Sequence, residues 1–370
     1  MIDKRTSLSQ LTLKRLKKNP LAIAAVIIIF MAAFVSIFCY VLATDKTENA
    51  ALQQVVLKYK PIGYQQLTLK IPLTGYKKQL SITDYLFGKR QDYEEIAITD
   101  YDLSNHELIY KPYIGDELEA EEKIIDLSTF KDNGVSEPEI KSDFIYTKKY
   151  YLGTDSFGRD FYSRLLIGTR ISFFVGFIAV LISLLVGITI GAVGGYYRGH
   201  VDDIIMWLIN VVWSIPTLLL VMAITLAIGK GFWQIFIAVG LTMWVEVARV
   251  VRGQFLSYRE VEFVEAAKAL GMADARIIFR QILPNILAPV IVISAANFAA
   301  AILIESGLSF LGIGAQPPTP SWGNIIKEHY AHIILGKQHL AILPGLLILI
   351  LVLAFNVFGN QLRDAMDIKN

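Results

Sequence analysis

Arg259-Glu-Val-Glu-Phe-Val-Glu-Ala-Ala-Lys-Ala-Leu-Gly-Met-Ala-Asp-Ala-Arg-Ile-Ile-Phe-Arg-Gln-Ile-Leu-Pro-Asn285 is a charged, alanine-rich stretch set between two long apolar runs. Phe263, Ala266, Ala267 and Leu270 recur at i, i+3, i+4 and i+7, the spacing of one helix face. Gly271 follows them, where a helix end favours a residue of positive φ. Asp274 is placed to cap a second short helix, and Pro284 to end it. The pattern predicts two short helices joined by a glycine. Such an element suits docking of a soluble partner, which the rest of the chain must identify.

Outward from this stretch the chain is too apolar for an ordinary soluble protein. Of its 370 residues 54% are hydrophobic and only 18% charged, and the apolar residues fall in long runs. Six runs are candidates to cross ~30 Å of hydrocarbon as helices: residues 20–43, 171–197, 204–228, 232–251, 287–313 and 343–358. Gly176, Gly187, Gly191, Gly194 and Gly195 in the second permit close helix packing. Pro216 in the third predicts a kink. The first run follows a basic segment, residues 1–19, as a signal peptide would. It is too long for one and lacks a small-x-small site, so it reads as a retained helix. Cys39 is the single cysteine, so no intramolecular disulfide can form. Neither a Cys/His metal pattern nor a phosphate-binding P-loop is present. No catalytic, cofactor-binding or metal-binding residue is therefore expected, and no nucleic-acid partner. If nucleotide energy is used, another chain supplies the site.

Residues 44–150 break from this pattern. Charges return, and Gln66–Lys70, Glu95–Thr99 and His106–Tyr110 alternate like strands, with glycines and prolines as turns between them. A β-rich or α+β domain outside the membrane is expected there. Residues 151–170 carry Phe157, Phe161, Leu165 and Leu166 as an apolar stripe with charges elsewhere, the pattern of an interfacial helix capped by Thr154 or Asp155. Arg249, Arg252, Arg259, Lys268, Arg276 and Arg280 crowd in or near the opening stretch. Arg198, Arg363 and Lys369 lie on the same side of a six-span topology, whereas the short loops opposite hold Lys230, Lys327 and Lys337. The positive-inside rule then puts both termini and residues 259–285 in the cytoplasm, and 44–150 and 315–342 outside.

Several of these segments share motifs with one family. Glu265-Ala266-Ala267-x3-Gly271, followed by Ile282-Leu283-Pro284, resembles the EAA loop of ABC-importer permeases. Leu152-Gly-Thr-Asp-x2-Gly158-Arg-Asp-x2-Ser163-Arg-Leu resembles the dipeptide, oligopeptide and nickel branch of that family. So do Glu305-x2-Leu308-Ser-Phe-Leu-Gly312, Gln316-Pro-Pro-Thr-Pro-Ser-Trp322-Gly and Leu353-Ala-Phe-Asn356-x2-Gly359-x2-Leu362-Arg-Asp364. The match covers the first helix and nearly all of 151–370. It departs in two places: Gln281 stands where the broad consensus has isoleucine, and the outer insertion is longer than usual for the branch.

The resemblance implies an all-α polytopic membrane protein of six transmembrane helices, the type I ABC-importer permease fold, with the outer domain inserted after the first helix. It implies the C-type permease of a bacterial inner-membrane importer for di- or oligopeptides. The expected partners are a second homologous permease in a heterodimer, two ABC ATPases that hold ATP and Mg, an extracytoplasmic substrate-binding protein and membrane lipid. Residues 259–285, with Glu265, Ala266, Ala267, Gly271 and Arg276, would be the ATPase-coupling element. Glu305, Asn297 and Asn356 are read as gate or helix-packing residues. Asp155, Arg159 and Asp160 either touch the binding protein or form a structural cap. Glu246 has Arg249 available as an ion-pair partner on its own helix face. His329, His332 and His339 suggest nickel only weakly, since no carboxylate or cysteine set completes a site. An ion-gradient-driven transporter is the competing class, but it leaves the EAA element unexplained. A membrane-anchored sensor or enzyme built on 44–150 lacks a visible nucleophile or metal constellation.

Overall fold

The computed structural model describes residues 8–77, 81–104, 106–115, 120–229 and 231–366. Lys230 and Lys369, used in the charge count, lie outside those residues. After a short helix α1 (Leu8–Leu16), α2 (Pro20–Leu42) begins where Asn19 accepts hydrogen bonds from the Leu21 and Ala22 amides and Pro20 starts the first turn. The Asn19 side-chain amide also bonds Gln361, tying this end of α2 to the last helix.

The outer insertion is built on β1 (Tyr64–Pro72), α3 (Ile82–Phe87), β2 (Tyr93–Leu103), β3 (Glu107–Pro112), β4 (Lys123–Asp126), the short turns α4 (Ser128–Lys131) and α5 (Glu137–Glu139), and β5 (Ile145–Tyr150). The strands form one antiparallel sheet of order β4-β3-β2-β1-β5. Leu69 of β1 lies opposite Ile96 of β2 and Ile145 of β5. One sheet face packs Leu69, Ile98, Leu108, Phe130, Ile140 and Phe144 into a core. Elsewhere in the domain a buried ion pair, Lys148 Nζ to Glu95 at 2.5 Å, is braced by the Tyr146 hydroxyl at 2.8 Å. Burial alone would raise the Glu95 carboxyl. The Lys148 ammonium outweighs that burial and holds it below the usual range, so the pair stays ionised near neutral pH.

The membrane bundle is organised on α6 (Phe161–Tyr197), a helix of 37 residues. It is capped by Asp160, whose carboxylate accepts from the Ser163 amide. This corrects the expectation for 151–170. Residues 161–170 are not a separate interfacial helix but the first turns of α6, and the cap is neither Thr154 nor Asp155. Charged residues such as Arg164 mimic a surface stripe in the sequence, yet the protein buries them among partners. The remaining helices are α7 (Gly199–Trp213), α8 (Thr217–Ile228), α9 (Phe232–Tyr258), α10 (Glu262–Ala269), α11 (Asp274–Arg276), α12 (Leu287–Phe310), α13 (Trp322–His329) and α14 (His339–Met366). Among the described residues, five helices are long and apolar enough to cross a membrane, or six if α7 and α8, bent by 92° at their break, count as one span. Pro216 stands at that break, where it offers no amide hydrogen to continue the ladder.

Small residues let α6 and α9 approach closely. A Cβ on Gly187 would lie 2.5 Å from Val247, one on Gly191 2.5 Å from the Ala248 carbonyl, and one on Gly195 2.6 Å from Phe255. Gly191→Val is therefore expected to push the two helices apart at a cost of about 1–3 kcal/mol. A lower thermal midpoint of the detergent-purified protein would register this. Gly253→Ala, on the exposed face of α9 with nothing within 4 Å of its Cβ, should not lower the midpoint and should raise it slightly, since alanine favours a helix interior over glycine.

Candidate functional site

At the end of the bundle remote from the sheet, α10 and α11 form a hairpin after α9. Helix α11 is not a separate short helix: it opens a helical run, Asp274–Phe310, that continues through Pro284 into α12, so Pro284 does not end it. Val264 and Ala267 of α10 are buried against Phe255, Ile277, Ile282 and Ala192, which fixes the rotation of this short helix. Its other side is bare. Phe263 is 39% and Leu270 82% exposed, and Glu265 and Ala266 are exposed with them. The sequence face of Phe263, Ala266, Ala267 and Leu270 is thus divided, with only Ala267 turned inward. Gly271 follows the helix at φ 72°. Its amide donates to the Lys268 carbonyl at 2.9 Å, and the Met272 amide donates to the Ala267 carbonyl at 3.1 Å. This paired closure needs a left-handed residue at the glycine position. Asp274 follows in the first turn of α11 rather than as its cap, which is Ala273. Arg276, Phe279 and Arg280 are exposed.

Tyr196, in the last turn of α6, fastens the hairpin. Its hydroxyl donates to Asp274 Oδ1 at 2.6 Å, and its carbonyl accepts from Arg259. The Lys268 ammonium lies 5.5 Å from its ring centre. Burial, then the adjacent Arg259 charge, hold Lys268 below the ordinary lysine range. In the sequence Tyr196 is one aromatic at the end of a glycine-rich run. Only the folded hairpin gives it partners.

The opposite end of α6 carries a buried knot of charge. Asp155 is fully buried, and its Oδ1 accepts from the Phe157 and Arg159 amides at 2.8 and 3.0 Å. Its Oδ2 lies 2.6 Å from Arg159 Nε and 3.6 Å from Arg164 Nε. The same two guanidinium groups reach Glu328 at 2.6 and 3.2 Å. Asp160 is also buried and bonds Ser163 and Thr44. Asp155, Arg159 and Asp160 therefore point inward and are not presented to a docking protein, which favours the structural cap over a binding-protein contact. Arg164 and Glu328 complete the knot. Arg164 stands inside the quoted motif with nothing local to mark it, and Glu328 lies too far along the chain for spacing to join it to Asp155.

Asp155, Glu328 and His329 offer ligand atoms within 4.8 Å of one another. Both carboxylates are already engaged by guanidinium groups, so this donor set does not fit a metal. His329 is held below the usual imidazole value by burial, and its Nδ1 donates to the Ile325 carbonyl at 2.8 Å.

Within the spans, Glu305 of α12 is fully buried and accepts from Ser309 Oγ at 2.7 Å and Ser172 Oγ at 3.2 Å. Asn297 is buried on the same helix, and its side-chain amide reaches the Met243 carbonyl at 3.5 Å. Asn356 is exposed on α14 and makes no hydrogen bond among the described residues, so it does not join helices within this chain. The expected ion pair of Glu246 is not formed among the described residues either. Arg249 instead lies 3.7 Å above the Trp213 ring. Glu246 lines a recess of about 130 Å³ with Trp213, Thr217, Thr242, Met243 and Ala300, beside the α7–α8 break.

Comparison with known proteins matches residues 183–369 to the family described as binding-protein-dependent transport system inner membrane component. Residues 7–61 match the N-terminal TM domain of oligopeptide transport permease C. The chain is 40% identical over 220 residues to a glutathione transport system permease protein of Pectobacterium atrosepticum, covering 60% of this chain and 73% of the relative. It is 41% identical over 220 residues to a dipeptide transport system permease protein of Bacillus subtilis, covering 60% and 69%. Among solved structures, a methionine ABC transporter in an inward-facing conformation is similar at 17% identity and a TM-score of 0.46, over 54% of this chain and 95% of that one.

Proposed function

The chain belongs to the family of binding-protein-dependent transport system inner membrane components, and on that premise we propose that it moves di- or oligopeptides through the membrane by coupling its 259–285 hairpin to an ATPase. The chain is the permease subunit of an ABC importer, not an enzyme, and its family works with ATPase and binding-protein partners. The peptide substrate is carried over from relatives whose names specify dipeptide and glutathione transport. A second, homologous permease would complete the pathway as a heterodimer, and two ATPases would hold ATP and Mg, none of which this chain binds itself. The crowding of Arg252, Arg259, Lys268, Arg276 and Arg280 at the hairpin end supports a cytoplasmic hairpin and cytoplasmic termini, with the sheet outside.

The observation that carries the coupling role is the bare apolar ridge of α10 fastened through Tyr196 to α6. Glu265, Ala266 and Arg276 border that ridge, Ala267 seats it, and Gly271 turns it. At a rise of about 1.5 Å per residue α6 is ~55 Å long, so it links the hairpin to the charge knot at the far side of the bilayer. Closure of the ATPases would pull the hairpin and tilt α6 as a lever. Buried Glu305 and Asn297 suit helix packing that keeps such a lever stiff, and exposed Asn356 suits a contact with the second permease.

Purification of the tagged chain from its host is expected to bring down a second permease and ATP-binding subunits, and the complex in proteoliposomes should take up a labelled dipeptide only with ATP supplied on the hairpin side. Uptake that continues without ATP and collapses with the ion gradient would overturn the proposal in favour of a secondary transporter.

A further inference from the structure

The outer insertion is more than an attachment to the first helix, because one of its elements packs beside the ends of α2 and α6. Helix α3 carries Ile82, Tyr85, Leu86 and Phe87, which are 80, 40, 40 and 64% exposed. An apolar surface this dense on so short a helix is costly in water. Two features fix its level. Gly88, directly after α3, sits so close to the end of α2 that a Cβ there would lie 2.6 Å from Glu48 Cα and 2.8 Å from the Tyr40 ring. Arg170 of α6 donates to the Leu86 carbonyl. Its guanidinium is 5.4 Å from the ring centres of Tyr40 and Phe87 and 5.7 Å from that of Phe174.

Arg170 also marks where the apolar surface of the spans begins. Further along α6, Phe177, Leu181 and Leu185 follow one another at i, i+4 and i+8, all exposed. On α2, Phe34, Ile37, Phe38 and Val41 are exposed up to the last turn. The apolar face of α3 crowns these two exposed apolar stripes. An arginine at this level can keep its charge in the headgroup region while its stem and the surrounding rings face hydrocarbon. Lys46, 5.9 Å from the Tyr85 ring centre, supplies a second cation beside α3 for lipid phosphates.

We propose that α3 is a lipid anchor: it inserts Ile82, Leu86 and Phe87 among the phospholipid acyl chains of the leaflet on the sheet's side, and so clamps the outer domain onto the bilayer beside α2. The clamp is built as an interfacial helix, with a polar capping turn at Ser81 and Asp84 and an apolar remainder. It holds the sheet at a fixed height above the spans whichever substrate is carried, and it does not depend on the peptide reading.

The test uses nitroxide labels on Phe87→Cys and, separately, Ile82→Cys in the full chain, reconstituted with its co-purifying subunits in phosphatidylcholine–phosphatidylglycerol nanodiscs. The unsubstituted protein, whose Cys39 is fully buried, gives the background labelling. Both residues are exposed, so neither substitution removes core packing. Collision with dissolved oxygen should be high at both sites, and collision with a water-soluble nickel chelate at least ~10-fold lower than for a label on Lys131→Cys, an exposed site of the outer domain. High chelate access at both sites would overturn the anchor in favour of a surface open to water. Exclusion of both probes would overturn it in favour of a surface covered by another protein.

Discussion

Asp155→Ala should cost the protein roughly 3–5 kcal/mol, the range found when one partner of a buried ion pair is removed. Arg159 and Arg164 are 3% and 0% exposed, so neither guanidinium can recover its hydration where it stands. Two carboxylates, Asp155 and Glu328, balance the two cations, and the substitution leaves one positive charge uncompensated. It also strips the Phe157 and Arg159 amides of the acceptor that shapes their turn. Gly158, inside that turn at φ 71°, packs so tightly that any Cβ there would collide with the Gln54 carbonyl, which leaves the loop little room to rearrange. The expected result is a marked loss of membrane-assembled protein and a lowered thermal midpoint in detergent. Glu328→Gln should be milder, because its side chain is 16% exposed and Asp155 remains to hold both arginines. Asp155→Leu combined with Arg164→Leu should recover part of the loss, since exchanging a buried pair for apolar groups is far less costly than orphaning one charge. Wild-type stability in Asp155→Ala would mean that the knot contributes nothing.

Why this knot is hidden in the sequence while the spans are not is a matter of range. A helix in hydrocarbon must satisfy its own backbone, so a long apolar run announces itself locally. Pro216 likewise signals a break from its own chemistry, although nothing around it says that the bend approaches a right angle. Gly271 is legible because a helix end needs a left-handed residue, and the structure places it there. Arg164 misleads because a charge reads as surface unless its partner is known, and Glu328 lies on a distant helix. The three alternating segments of the outer insertion are visible, but not that β1 is flanked by β2 and the remote β5. Strand order depends on pairings that no local pattern encodes. Helix α3 is hidden for a related reason. Its few residues cannot show a period, and only its seat beside Tyr40 and Arg170 gives its apolar side chains a meaning.

Leu270→Asp should abolish most coupled ATP hydrolysis while leaving the chain itself intact. Leu270 is 82% exposed, so an aspartate there displaces no packing and meets water in the isolated permease. If α10 seats in a groove on an ATPase, the same carboxylate must be desolvated without a partner. Loss of one central apolar anchor at an interface costs about 2 kcal/mol or more, which corresponds to roughly a 30-fold weaker association. Substrate-stimulated hydrolysis by the reconstituted complex should fall at least ~10-fold, and ATPase subunits should be lost on dilution, with the thermal midpoint of the permease unchanged. Val264→Asp, earlier in the same hairpin, provides the contrast. Val264 is fully buried against Phe255, Ile277 and Ile282, so a carboxylate there has to be hydrated by opening the hairpin. That variant should lose both the midpoint and the coupling, whereas Leu270→Asp should lose the coupling alone. Full stimulated hydrolysis in Leu270→Asp would show that the ridge faces something other than the ATPase, whatever Val264→Asp does.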